Sequence, residues 1–130
     1  AVVCLGTTLG FFMTTPVIIA LRAASHICFA LLGAVLIRKI PEIIEKPLPS
    51  TVFNGGLAFV HALAEVAVVS PFFLAGSIFK PEQLADGYVM SVLVLVGVGT
   101  FLHSLIDYTV SIMLWKPVRA ALPSLAELRE

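Results

Sequence analysis

Long apolar runs, separated by short clusters of charged residues, dominate the chain. Residues 1–21, 23–37 and 87–106 contain no Asp, Glu, Lys or Arg. A helix that crosses a bilayer needs about 20 mostly apolar residues. The pattern therefore predicts three transmembrane helices, at residues 16–38, 57–79 and 87–115.

Proline and charged residues mark the ends of these predicted helices. Pro16 suits a first helical turn, where its missing N–H costs nothing, and Arg38 and Lys39 end the first span. Pro71 predicts a kink in the second span. Residues 47–56 are rich in Pro, Ser, Asn and Gly, so they predict a loop between the first two spans.

The two ends of the chain differ from its centre. Residues 1–15 are apolar and short, and they predict either a fourth, short or re-entrant span or an apolar arm against a neighbouring protein. Residues 116–130 are amphipathic and predict a tail at the membrane surface. The whole chain, residues 1–130, is expected to form a single all-α membrane domain.

Composition confirms that lipid is the solvent and narrows the class of function. Of the 130 residues, 59% are hydrophobic and 12% are charged, whereas a soluble domain carries about 25% charged residues. A soluble enzyme and a disordered chain are thereby excluded. The net charge is zero and the basic residues are scattered, which excludes nucleic acid as a partner. The chain contains no self-contained catalytic motif, so at most a non-catalytic role in an enzyme complex is expected.

Basic residues predict the orientation of the spans. Residues 38–56 contain three and the tail contains three, whereas the loop between the second and third spans has only Lys80. The positive-inside rule then places the C-terminus inside, in a bacterial or archaeal plasma membrane or a mitochondrial inner membrane.

Six ionisable residues lie at membrane depth, where such groups are costly and usually face a protein interior. They are Arg22, His26, His61, Glu65, His103 and Asp107. At 1.5 Å per residue, His26 and His103 lie roughly 18 Å from the inner ends of their spans. Glu65 and Asp107 lie roughly 12 Å from theirs. This estimate predicts a layer of two histidines above a layer of two carboxylates.

Two segments repeat one motif. Residues 59–65 (FVHALAE) and 101–107 (FLHSLID) both read F-x-H-x-L-x-(E/D). The spacing places a histidine and a carboxylate on one helix face. Such a carboxylate can accept the imidazole N–H, an arrangement that metal-bound histidines commonly use.

Three interpretations of these residues compete. His26 and His103 can hold a haem b or a metal or line a quinone pocket, with Arg22, Ser25 and Tyr108 facing quinone carbonyls or haem propionates. Alternatively, histidine and carboxylate side chains form a proton or ion path. In the third interpretation these residues only hydrogen-bond within the helix bundle or to partner subunits.

Part of the sequence resembles the membrane anchors of succinate dehydrogenase. The similar segments are IALRAASH (residues 19–26) and the Asp107-Tyr108 pair with His103 upstream. The resemblance implies quinone-site roles for Arg22, Ser25 and Tyr108, and a haem b role for His103. The Asp-Tyr pair belongs to the last span here rather than to the middle one, so the resemblance indicates a class of quinone-linked complexes and no particular member.

The functional hypothesis from sequence is a small anchor or accessory subunit of a respiratory-type electron-transfer complex. Its expected partners are other membrane subunits and the lipid bilayer, and its expected cofactor is haem b or a quinone, otherwise none. The first alternative is a small homo-oligomeric ion or proton channel or carrier. The second alternative is a purely structural assembly subunit.

Overall fold

The computed structural model describes residues 2–76 and 79–121, and all the elements it contains there are helical. In chain order they are α1 (Val2–Thr14), α2 (Val17–Lys39), a 3₁₀ turn (Pro41–Ile44), α3 (Pro47–Leu74), α4 (Pro81–Ala85), a π-helix (Val89–Val98) and α5 (Gly99–Ala121).

Three of these helical stretches are long and apolar enough to cross a membrane. They are Val17–Lys39, Pro47–Leu74 and Val89–Trp115, with 23, 28 and 27 residues. The prediction of an all-α, multi-pass membrane protein is confirmed. Helix α1 has 13 residues, which at 1.5 Å per residue gives about 20 Å, less than the roughly 30 Å of a bilayer core.

Helix α3 begins earlier than predicted. Residues 47–56 were expected to form a loop, but they are the first ten residues of α3, which starts at Pro47. Lys46 before it is extended, with ψ 136°, as the residue before a proline prefers. Pro47 and Pro49 then fall in the first turn, where no intrahelical N–H donor is needed. The prolines that suggested a loop are therefore the start signal of the helix.

Helix α3 also ends earlier than predicted. The second span was expected to reach residue 79 with a kink at Pro71, but the helix ends at Leu74. Pro71 therefore lies in the last turn of the helix, and the kink at this position stays a prediction. Two residues after Leu74, Gly76 has φ 63°, a left-handed conformation that glycine adopts at helix ends without steric cost.

The third span joins the π-helix to α5 without a break and packs closely on α3. A Cβ atom placed on Gly97 would lie 3.1 Å from Cγ2 of Val66, so a larger residue requires the Val66 side chain to shift by a few tenths of an ångström. Gly33 in α2 has the same relation to Leu57 of α3, again at 3.1 Å. In contrast, a Cβ on Gly99 would meet no atom within 4 Å.

Helix α3 packs against both α2 and the third span, and α1 packs against α2. The apolar core is centred on Ile18, Val69 and Val92, one residue from each of the three spans. Many other large apolar side chains are exposed, as expected for a surface that faces lipid. The predicted tail begins inside α5, which runs to Ala121, and its residues 122–130 lie outside the described residues.

Candidate functional site

The most buried polar cluster lies between α2 and α3. Glu65 of α3 is 2% exposed, and both of its carboxylate oxygens accept hydrogen bonds from α2. Arg22 Nε donates to Oε2, and Ser25 Oγ donates to Oε1 at 3.2 Å. Because each carboxylate oxygen has a donor, the charge of Glu65 is compensated at a depth where an unpaired charge would be costly.

Helical spacing and small residues build this cluster. His61 and Glu65 are one turn apart on α3 and so share a face, as do Arg22 and Ser25 on α2. Small residues on these two helices are buried and allow the backbones to approach. They are Ala20, Ala23, Ala58 and Ala62.

His61 has one satisfied and one unsatisfied ring nitrogen. Its Nδ1 lies 2.6 Å from Ser104 Oγ of α5. Its Nε2 is buried and has no hydrogen-bond partner among the described residues. The nearest acidic atom to Nε2, Glu65 Oε1, is 3.9 Å away, too far for a hydrogen bond. A buried polar atom without a partner is costly, so this nitrogen is a candidate for ligand contact.

Aromatic rings surround His61. The His26 ring lies 4.4 Å from it and the Phe29 ring 4.3 Å, measured between ring centroids. His26 Nδ1–H donates to the Ala23 carbonyl oxygen at 3.1 Å. In a neutral ring this bond leaves the Nε2 of His26 with its lone pair free.

A central cleft of about 250 Å³ opens beside this cluster. Its charged and imidazole-bearing lining residues are Arg22, His26, His61, Glu65 and His103. Its remaining lining residues are Thr7, Phe11, Ile19, Ala23 and Thr100. The cleft thus combines an apolar wall with a few convergent polar groups, the usual character of a small-molecule site.

The second copy of the repeated motif is arranged differently. His103 Nε2 lies 2.9 Å from Asp107 Oδ2, so the two side chains contact each other directly. They are 68% and 61% exposed. His103 lines the rim of the central cleft, whereas Asp107 contributes to a neighbouring pocket with Tyr108 and Asn54.

The structure brings together most of the residues singled out from sequence. Arg22, His26, His61 and Glu65 share the central cleft with His103, and Ser25 holds Glu65. Tyr108 does not line the central cleft but lines the neighbouring pocket with His26, His61 and Asp107. It shares a hydrogen bond with Ser50, with their oxygens 3.1 Å apart.

The structure adds a histidine contact that the depth estimate did not give. The ring of His26 packs on His61, and His26 and His103 both line the central cleft. The depth of α3 residues was counted from Leu57, whereas the helix begins at Pro47. His61 therefore lies deeper in the span than that count predicted.

Two contributors were missed from sequence. Ser104 contacts His61, and Thr100 lines the cleft. Ser104 directly follows His103, and neighbouring side chains diverge on a helix. This divergence could have indicated the role of Ser104 from sequence, because when His103 points outward, Ser104 points toward another helix.

No protein-family model and no solved structure matches the chain. The chain is similar to a curated protein, the niacin transporter NiaX of Lactococcus lactis subsp. cremoris (strain MG1363). The two are 34% identical over 124 residues, which cover 95% of this chain and 54% of the relative. The chain therefore spans about half the length of this relative.

This similarity corrects the functional hypothesis drawn from sequence. A subunit of a respiratory electron-transfer complex is contradicted, because the relative is a transporter and the similarity covers 95% of the chain. The expected respiratory partner subunits, and the assignment to quinone- and haem-dependent electron transport, are wrong for the same reason. The resemblance to succinate dehydrogenase anchors rested on two short segments of common membrane residues. Haem b or quinone as a cofactor of these residues is not tested by the similarity.

Proposed function

We propose that this chain is the membrane-embedded part of a transporter and that its central cleft binds niacin. The carrier alternative drawn from sequence agrees with the transporter relative. Niacin is a pyridine ring that carries one carboxylate. A site for it needs a cation or strong donors for the carboxylate, a donor for the ring nitrogen and flat apolar contacts for the ring.

The observation that carries this proposal is the unpartnered Nε2 of His61 in a cleft that also contains Arg22. The hydrogen bond to Glu65 uses only Nε of Arg22. The two terminal nitrogens of the guanidinium form no hydrogen bond with the described residues, and the side chain is 42% exposed. Two parallel N–H groups match a carboxylate in geometry and charge.

His61 can supply the donor for the ring nitrogen. Ser104 hydroxyl can donate to Nδ1 of His61, since a hydroxyl is both donor and acceptor. The proton of the neutral imidazole then lies on Nε2, which donates into the cleft. Phe11 and the ring of His26 provide aromatic surface beside it.

Direct binding to the purified chain in detergent tests this proposal. We expect radiolabelled niacin to bind, and nicotinamide, which lacks the carboxylate charge, to compete poorly. Arg22→Gln should weaken binding at least about tenfold, since hydrogen bonds to charged groups contribute about 1.5–3 kcal/mol. The matched control is Arg38→Gln, at the end of α2 and away from the cleft. Absence of binding to the wild-type chain, or an equal loss in both variants, would contradict the proposal.

We also propose that the C-terminus lies inside, as the distribution of basic residues supports. Single cysteines at Glu45 and Glu82, in a chain with Cys4 and Cys28 replaced by alanine, test this orientation. A membrane-impermeant maleimide added to intact cells should label Glu82→Cys and should label Glu45→Cys only after lysis. The reverse pattern would contradict the proposed orientation.

A further inference from the structure

We infer that His26, His61 and Glu65 form a binding site for a divalent first-row transition-metal ion such as Zn²⁺. One ligand atom from each of these three side chains lies within 4.8 Å of the others. His26 belongs to α2, whereas His61 and Glu65 belong to α3. A bound ion would therefore link the two helices at the wall of the central cleft.

The set of ligand atoms suits this class of ion. Two imidazoles and one carboxylate bind zinc and other first-row metals in proteins and leave positions open for further ligands. Zinc bonds to nitrogen and to carboxylate oxygen measure about 2.0–2.2 Å, so two ligand atoms on a tetrahedral ion are about 3.5 Å apart. His61 Nε2 and Glu65 Oε1 are 3.9 Å apart, so the two side chains need to approach each other only slightly to bind one ion.

Both histidines are held in the way that metal-binding histidines usually are. His26 Nδ1–H donates to the Ala23 carbonyl oxygen, and His61 Nδ1 lies within hydrogen-bond distance of Ser104 Oγ. When each ring carries its proton on Nδ1, both Nε2 lone pairs are available to an ion. The His61 side chain is only 7% exposed and its Nε2 has no partner among the described residues. An ion would satisfy this buried nitrogen.

Arg22 competes with the ion for Glu65. Its guanidinium already pairs with the carboxylate, and a second cation in the same place would be repelled. The Arg22 side chain is 42% exposed, so it can turn toward the open cleft when an ion binds. Removing its charge should therefore strengthen metal binding, whereas removal of a merely structural arginine would only weaken the fold.

The metal site does not depend on niacin as the substrate. The ion needs the lone pair of His61 Nε2, while niacin would need a proton on the same atom. The two ligands therefore exclude each other, and the metal is tested alone, so the two proposals can fail separately.

Zn²⁺ titration of the metal-free purified chain in detergent, followed by calorimetry, tests the inference, with Co²⁺ absorption bands reporting the coordination geometry. We expect one ion per chain. His26→Phe, which keeps an aromatic ring beside His61, and Glu65→Gln should each weaken binding at least about tenfold. Arg22→Gln should strengthen binding. Asp107→Asn, in the exposed copy of the motif and outside the lining of the central cleft, should leave it unchanged.

Two results would overturn the inference. One is Zn²⁺ affinity in the His26→Phe/His61→Phe double variant equal to that of the wild-type chain. The other is an equal loss of affinity in Asp107→Asn and His26→Phe, which would place the ion at the exposed pair. Helical circular dichroism and elution volume establish that each variant is folded before titration, and His26→Phe alone decides the test if the double variant does not fold.

Discussion

The two copies of the His-x₃-acid motif lie in opposite surroundings. His61 and Glu65, the buried pair, are 7% and 2% exposed, whereas His103 and Asp107, the exposed pair, are 68% and 61% exposed. In the exposed pair the imidazole and the carboxylate are 2.9 Å apart. In the buried pair the closest approach given by the structure is 3.9 Å.

The neighbouring helices account for this difference. Glu65 accepts hydrogen bonds from Arg22 and Ser25 of α2, and His61 Nδ1 lies within hydrogen-bond distance of Ser104 of the third span. Each member of the buried pair therefore has its partners on a neighbouring helix. The side chains of the exposed pair keep most of their surface open, and they contact each other one turn apart. On an open helix face, the two side chains of this motif thus contact each other. Between helices, they contact neighbouring helices instead and remain accessible to a ligand.

The buried and exposed pairs should differ most in the free energy of unfolding when their carboxylates are neutralised. Glu65→Gln leaves the charge of Arg22 without its partner, and breaking a buried ion pair costs about 3–5 kcal/mol. Because Arg22 is 42% exposed and can reach solvent, we expect a loss of about 2 kcal/mol in the free energy of unfolding. Asp107→Asn should change it by less than about 0.5 kcal/mol. Equal losses in denaturant titrations of the two variants in detergent would show that burial does not separate the pairs.

Replacing the two histidines should give a smaller difference in the free energy of unfolding, again with the larger loss in the buried pair. His61→Phe keeps the ring contacts with His26 and Phe29 but removes the hydrogen bond to Ser104. We expect a loss of about 1 kcal/mol in the free energy of unfolding. His103→Phe, which exposes one more ring on a surface already apolar, should be close to neutral. The same titrations measure both, and a larger loss for His103→Phe would reverse the comparison.

In a lipid bilayer, the exposed pair should destabilise the chain. Polar groups that face hydrocarbon are costly even when paired. We therefore expect the double variant His103→Leu/Asp107→Leu to stabilise the chain in lipid nanodiscs by about 1 kcal/mol and to have less effect in detergent. Destabilisation in nanodiscs would indicate that the exposed pair holds a contact in the membrane. The equivalent double variant of the buried pair, His61→Leu/Glu65→Leu, is the control and should destabilise.

The local features of the spans could be predicted from sequence. Uninterrupted apolar runs indicated three membrane helices, and the i, i+4 spacing placed each histidine and its carboxylate on one face. These properties depend only on distances along one helix. The start of α3 could not be assigned in the same way, since prolines serve both loops and first helical turns, and only the packed helix distinguishes them.

Which copy of the motif becomes buried could not be predicted. Both copies have the same spacing and similar apolar neighbours, and the choice depends on which helix faces α2. That packing depends on small residues such as Ala58 and Ala62, which lie on the face of α3 with His61 and are almost fully buried. Similar small residues occur throughout the chain, so their number does not identify the contact face. Pairwise packing between helices carries this information.

The glycines of the third span offer the finest test of how that packing positions the buried pair. A Cβ on Gly97 would lie 3.1 Å from Cγ2 of Val66, the residue next to Glu65, whereas a Cβ on Gly99 would meet nothing within 4 Å. Replacing glycine by alanine within a helix gains about 0.5–1 kcal/mol. We expect Gly99→Ala to show this gain and Gly97→Ala to lose it to crowding, a difference of about 0.5 kcal/mol in the free energy of unfolding. Zn²⁺ and niacin binding should decrease in Gly97→Ala and stay constant in Gly99→Ala, because only the former crowds α3 at Val66, beside Glu65. Equal stability and equal binding in both variants would show that the close approach at Gly97 does not position the buried pair.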